Sequence, residues 1–494
     1  MNKPIAVIML LIILDVSFFI VAANIQLAKS EFTGEITINA DGSVTPANSP
    51  VTITGNIYTL TGNIDGSVFL ARSNIDFNGA GHSVRGIMGI PSDSNPKNNV
   101  TIENVVVTLS RISDSTGINL YGFYNSKVLG NSITNNDFGL QFGASTNNTF
   151  RNNQFSQNSI TTLSLTFLSA SSSQDFDNSN LVDGKPIYFW MNKQDLTVPL
   201  DAGLAVLVSS TNITVQNLTL TSSGQGIWLL RTMNSTVTNN TIEYSSGIQI
   251  EQSNNNAISK NTVLGAGSGI ELISSTHNAI TDNLLIRNGI GIDVEFSNDN
   301  SIYHNNFINN TKQVYDFIWD EPFVKASVNF WDNGYPSGGN YWSDYAAQYP
   351  NATEIDNSGI GDMPYTIGPA NTNNTDYYPL MKLTVAIPDL PPPPPSPTPP
   401  FASSSPTTSL TPSPSPSPSP SPSPSPSPTL SQTTGPSNSP TPSFLPQPTQ
   451  SPISASPPDL PIEHIAFAVA IVAITATSVA IIIKKRGSKE KKTP

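Results

Sequence analysis

The chain has 494 residues, a formal net charge of −13, 12% charged residues, 42 Pro and no Cys. Without Cys, a disulfide scaffold, a thiolate metal centre and a Cys nucleophile are excluded. The charge is uneven. Lys484–Pro494 holds six basic residues and one Glu (+5), so the rest sums to −13 − 5 = −18, a balance that disfavours nucleic acid or any polyanion as partner.

In chain order, residues 1–28 read as a secretory signal peptide: Lys3, an apolar run from Ile5, then small residues at Ala22–Ala23. Residues 30–325 carry a repeat. Gly followed by apolar–x–apolar recurs at Gly117, Gly139, Gly226, Gly247, Gly269 and Gly291, with steps of 22, 87, 21, 22 and 22. Asn131, Asn153, Asn240, Asn261, Asn283 and Asn305 keep the same beat. Two unrelated markers in one register indicate a solenoid, and the gap of 87 is close to four further periods. Runs such as "NAITDNLLI" alternate with period 2 and are β-branched, so each repeat holds about three short strands and no crossover helix. Stacking such units makes an all-β fold, a right-handed parallel β-helix, with Ile and Val ladders inside and Asn ladders at the turns.

Residues 326–387 form a C-terminal cap module rich in aromatic residues. Residues 388–461 are a Pro/Ser-rich disordered stalk, because Pro fixes φ, removes a donor and favours extended polyproline II. Residues 462–483 read as one transmembrane helix: Ile465–Ile483 is uncharged and ~28 Å long as a helix. The basic tail 484–494 is then cytoplasmic and everything before it lies outside the cell.

"ARSNIDFNGAGHSVRGI" from Ala71, "DGKPIYFW" from Asp183, "NFWDNGYPSGGNYWSDY" from Asn329, "DNSGIGDMPYTI" from Asp356 and "DYYPL" from Asp376 are the most distinctive stretches. Over about Ala71–Met381 they resemble the right-handed β-helix proteins of the NosD type, grouped with the carbohydrate-binding and sugar-hydrolase β-helices. The resemblance implies the fold and leaves the activity open, since β-helices host lyases, hydrolases, epimerases, adhesins and spacers.

Three sets of residues are candidates for chemistry. The residue between the two apolar positions of each "GIxI" faces outward, giving the column Asn119, Gln141, Trp228, Gln249, Glu271, Asp293. Glu295 shares the face of Asp293, and Glu251 lies in its register. Carboxylates ~5 Å apart suit an acid/base pair on a sugar or a cation, although no Lys or Arg in the column supplies an elimination base. A solvated acidic face is the bland alternative, on which Glu271→Lys is silent. Trp331, Tyr341 and Trp342 are candidates for sugar stacking, weighed against plugging the solenoid end. Asp356, Ser358, the carbonyl of Ile360 and Asp362 present oxygens at alternate positions and are the candidate Ca²⁺ ligands; the resemblance suggests the same loop, with Asn357 and Ser358 standing where the family has Gly and Asp. His82, His277, His304 and His464 do not gather, which sets aside the copper that the family name implies.

These readings converge on a membrane-anchored ectodomain at the cell surface. Its role is structural or polysaccharide-binding, with sugar cleavage or epimerisation on the acidic face as the alternative. Copper delivery stands third. Sequons at Asn99, Asn147, Asn212, Asn217, Asn234, Asn239, Asn309, Asn351 and Asn373 would be open to glycosylation there.

Overall fold

Each repeat folds into one coil of short parallel strands. The computed structural model describes residues 32–385 apart from 90–94, 110–115, 166–167, 169–171, 223, 321–324, 370–371 and 373. The expected signal peptide, stalk, transmembrane helix and basic tail lie outside the described residues. Among the described residues no helix is long and apolar enough to cross a membrane. The pieces described below belong to one compact unit.

The period-2 pattern sets the register. Ile248, Ile270 and Ile292 are neighbours in successive parallel strands and are fully buried, as are Ile250, Leu272 and Val294. The Gly of each repeat is there because the next coil leaves no room for a side chain: a Cβ on Gly269 would sit 2.7 Å from the carbonyl oxygen of Gly291. The recurrent Asn residues are buried one after another at the coil corners. Asn240, Asn261, Asn283 and Asn305 each donate Nδ2 to the Oδ1 of the next, at 2.9–3.0 Å. The residue before each one (Asn239, Lys260, Asp282, His304) takes the left-handed backbone, with φ of 53–58°. His277 and His304 are two such turn residues at different corners, which is why they do not stack.

The gap of 87 residues is not four further periods of one continuous helix. Asp183 and Gly184, with φ of 47° and 78°, make a hairpin that pairs Leu181 with Pro186 and Val182 with Lys185 in antiparallel fashion. This turn conformation suits Asp-Gly and matches the twist of the flanking strands. The chain direction reverses there, producing two coiled modules that share a 12-stranded sheet. Ile187 and Phe189 face the core of the first module, while Tyr188 and Trp190 between them face that of the second. Leu204–Val208 is buried at every position for the same reason: Leu204, Val206 and Val208 serve one core, Ala205 and Leu207 the other. The expected outward column is therefore two. Asn119 and Gln141 hydrogen-bond to each other in a seven-stranded sheet of the first module. Trp228, Gln249, Glu271 and Asp293 belong to the second.

The cap extends the last coil. Tyr341–Trp342 pairs with Asn306 and Phe307, and Asn340 receives the Asn ladder from Asn305. A second ladder of Asn256, Asn278, Asn300 and Asn329 ends on Asn374.

Candidate functional site: an acidic face beside the module junction

The outward side of the second module changes character along its axis. On Gly226–Leu230 it rests against the first module, with Leu230 in that core and Trp228 packed on it. Beyond the junction the column continues as Gln249, Glu271, Asp293 and Tyr315 on successive strands. A parallel column carries Glu251, Ile273 and Glu295. Asp316 follows, its carboxylate accepting from the backbone N–H groups of Ile318 and Ser327, and the turn Phe317–Asp320 closes that end. The Phe317 ring meets Phe296 edge-on at 5.4 Å.

The carboxyls are crowded and poorly hydrated. Burial, and then the charges of Asp293, Glu295 and Glu251, pushes Glu271 up to about 8. Asp293 rises to about 7 through burial and the charges of Glu295 and Asp316, against the pull of Lys312. Glu295 rises to about 7 through burial and then Asp316 and Glu251. Such a group titrates as a unit that holds protons near neutrality. Asp293 is 8% exposed, and its Oδ1 is buried with no hydrogen-bond partner. Among the described residues the cations of the face are Arg231, whose charge partly offsets the burial that raises Glu251, and Lys312, whose ammonium sits 3.4 Å above the Tyr315 ring. The column thus acquires a phenol and a nearby ammonium one strand beyond Asp293. Sequence reading missed both because "KQVYD" lacks the Gly that marks the other coils.

This crowding carries a pH signature. The unfolded chain ionises near the ordinary carboxylate values while the folded cluster keeps its protons. Stability is therefore lost progressively as pH rises from about 4.5 to 8, and the loss is complete above that. Melting temperatures taken across this range are expected to fall. Asp293→Asn should recover roughly 2 kcal/mol at pH 8.5 and nothing at pH 4. A variant that gains equally at both pH values would show that the carboxyl is not strained by ionisation.

The other candidates lie in the cap. Trp331 and Trp342 are 1% exposed, so their faces are closed to a sugar. Trp342 stacks between Phe307 and Tyr365, at 4.2 and 4.4 Å, and both indoles plug the solenoid. Half-buried Tyr341 packs on a small cluster around Leu264 and Ile308. The exposed rings of the cap are instead Phe330, Tyr335 and Tyr377. In the expected Ca²⁺ loop, Asp362 accepts from the N–H and the hydroxyl of Thr353, each at 2.8 Å, and these bonds hold its carboxyl below the usual range. The Ile360 carbonyl accepts from the Ile355 N–H, and the Ser358 hydroxyl donates to the Ile355 carbonyl. Three of the four oxygens are thus engaged within the loop. Asp356 is an exposed turn residue with φ of 50°. A cleft of about 440 Å³ between the last coil and the cap touches Lys312 but none of Glu271, Asp293 and Glu295.

Residues 192–347 match the family model described as "Periplasmic copper-binding protein (NosD)", and the strands they form are parallel β-helix coils. No curated protein matches the chain in sequence. Among solved structures, a mutant of the periplasmic alginate epimerase AlgG is 12% identical, with 57% of this chain and 73% of that one covered and a TM-score of 0.26. A mutant tailspike protein of E. coli bacteriophage HK620, in complex with a pentasaccharide, is 15% identical, with 57% and 53% covered and a TM-score of 0.25. A mutant DFA-IIIase from Arthrobacter chlorophenolicus A6, in complex with DFA-III, is 11% identical, with 56% and 70% covered and a TM-score of 0.21. The copper in the family's description meets no donor set among the described residues. Among the described residues no three His, Cys, Asp or Glu side chains gather as metal ligands, and His304 Nε2 lies 2.9 Å from the Ser337 carbonyl oxygen.

Proposed function

We propose that this chain is a surface or periplasmic ectodomain that binds a polysaccharide along the acidic face of its second module. One observation carries the reading: beyond the point where Trp228 packs on the first module, Gln249, Glu271, Asp293 and Tyr315 form a single outward column of hydrogen-bonding groups that ends on an aromatic ring. Three steps of ~4.8 Å make a track of about 14 Å. The Tyr315 ring offers an apolar face to a sugar ring, while carboxyls that hold protons near neutrality both donate and accept towards hydroxyls. The uncharged run within 462–483 would hold such a domain at a membrane, beyond the described residues.

The adjacency of Glu271 and Asp293 favours a second reading, acid/base cleavage of the bound glycan, because neighbouring carboxyls of raised pKa can hold and release a proton. A glycan array probed with the full chain, followed by calorimetry and product analysis, tests both. Asp293→Asn and Tyr315→Ala should each weaken binding about tenfold, or ~1.4 kcal/mol. Binding untouched by both changes would sink the site. Shortened products that vanish in Asp293→Asn would establish cleavage.

A further inference from the structure

We infer that the glycan for this face carries free primary amines: a polymer of amino sugars that are not acetylated, bound as ammonium groups. This rests on the glycan-binding reading and adds the class of sugar. Five carboxyls converge there from successive elements: Glu251 from Ile248–Glu251, Glu271 from Ser268–Ile273, Asp293 and Glu295 from Ile290–Glu295, and Asp316 after Lys312–Tyr315. Against them, among the described residues, stand two cations. Arg231 faces Glu251, and Lys312 is held over the Tyr315 ring. When ionised, the face is three positive charges short.

Asp293 gives this deficit a direction. It is 92% buried, its Oδ1 has no donor, and its strand neighbours in the column are Glu271 and Tyr315 rather than a cation. A buried acceptor without a donor costs stability unless a ligand supplies one, and a charged N–H is the strongest kind. Uronic acid residues would add like charges to the same place and are repelled. The carboxyls also advance one strand at a time, ~4.8 Å per step, close to the advance of an extended hexose chain per residue. A polymer with one ammonium per sugar would meet one carboxyl per coil. Cations arriving there lower the carboxyl pKa values, so binding should expel protons from the raised group.

The test is calorimetry on the full chain at pH 6.5 in two buffers of different ionisation heat. The probes are glucosamine oligomers, the matching N-acetylglucosamine oligomers, galacturonate oligomers and oligolysine. The free-amine oligomer is expected to bind at least ~10-fold more tightly than its acetylated counterpart, with buffer-dependent heat reporting proton release. Asp293→Asn and Glu271→Gln, both close in shape to wild type and checked by melting, should erase that preference. Acetylated oligomers binding as tightly, with the same dependence on Asp293, would overturn the amine and leave the glycan reading standing. Preference for galacturonate would do the same. Oligolysine binding more tightly than any saccharide would make the face a site for basic peptides and overturn the inference, and failure of every saccharide to bind removes both readings.

Discussion

Ile270→Asp is expected to lower the melting temperature by on the order of 10 °C, from a loss of roughly 4 kcal/mol or more. Ile270 is fully buried between Ile248 and Ile292 in the strands on either side. No cation lies in this ladder, so the new carboxylate would be desolvated without a partner. Glu271, the next residue, gives the opposite result. Read from sequence as a solvated position, it would accept Lys silently. Burial, and then crowding by Asp293, Glu295 and Glu251, makes this position far from silent: in Glu271→Lys the ammonium lets those neighbours ionise, so the variant should gain on wild type as pH rises above neutrality, a gain reduced by the burial of the ammonium itself. Thermal melts of the two variants check both statements. Equal shifts would mean that the strand register is wrong by one residue.

Asp376→Ala should detach the cap. Asp376 is fully buried and accepts from the Asn340 N–H at 2.7 Å, the Trp342 indole N–H at 2.9 Å and the Tyr378 N–H at 3.1 Å. Burial drives its carboxyl up to about 7 while these three donors pull it down. Removing the acceptor leaves several buried N–H groups unpaired, at a cost of roughly 3–5 kcal/mol. The loss should appear first in the near-ultraviolet signal of Trp342, which stacks on Phe307 and Tyr365, before strand structure melts. Asp376→Asn keeps an acceptor oxygen and should retain most of that signal. If the alanine variant keeps the Trp342 signal up to the main transition, the cap is held by packing alone.

Much of this architecture was legible in the sequence because stacking writes the same demand into every coil. The Gly before "IEL" and "IDV", the inward Ile positions and the buried Asn all follow from one coil lying on the next. The reversal at Asp183–Gly184 was harder to see, since it occurs once and no period announces it. Its traces were local: an Asp-Gly pair, and Leu204–Val208 unbroken by any polar residue because both faces are buried. The acidic column is legible from spacing, yet its burial is not, because the period of a strand shows which side chains point outward and not what covers them. Trp331 and Trp342 were ambiguous for a different reason. An aromatic run reads the same whether it plugs a solenoid or stacks on a sugar, and it is their burial, together with their indole bonds to Asn374 and Asp376, that decides it.

The Asn ladders also have a direction. Every amide donates towards the C-terminal side: Asn240 to Asn261, Asn261 to Asn283, Asn283 to Asn305, Asn305 to Asn340. A coil is therefore never complete until the one made after it has arrived, and a chain emerging N-terminus first always carries a row of unanswered donors at its growing tip. That tip is a template, and it recruits whatever coil comes next. Growth stops when Asn374 and Asp376 arrive, because they accept the last N–H groups of both ladders and offer no further rung. The cap is thus a chain terminator in the polymer chemist's sense. A truncation that removed it would leave a living end, able to add the first free coil of another copy.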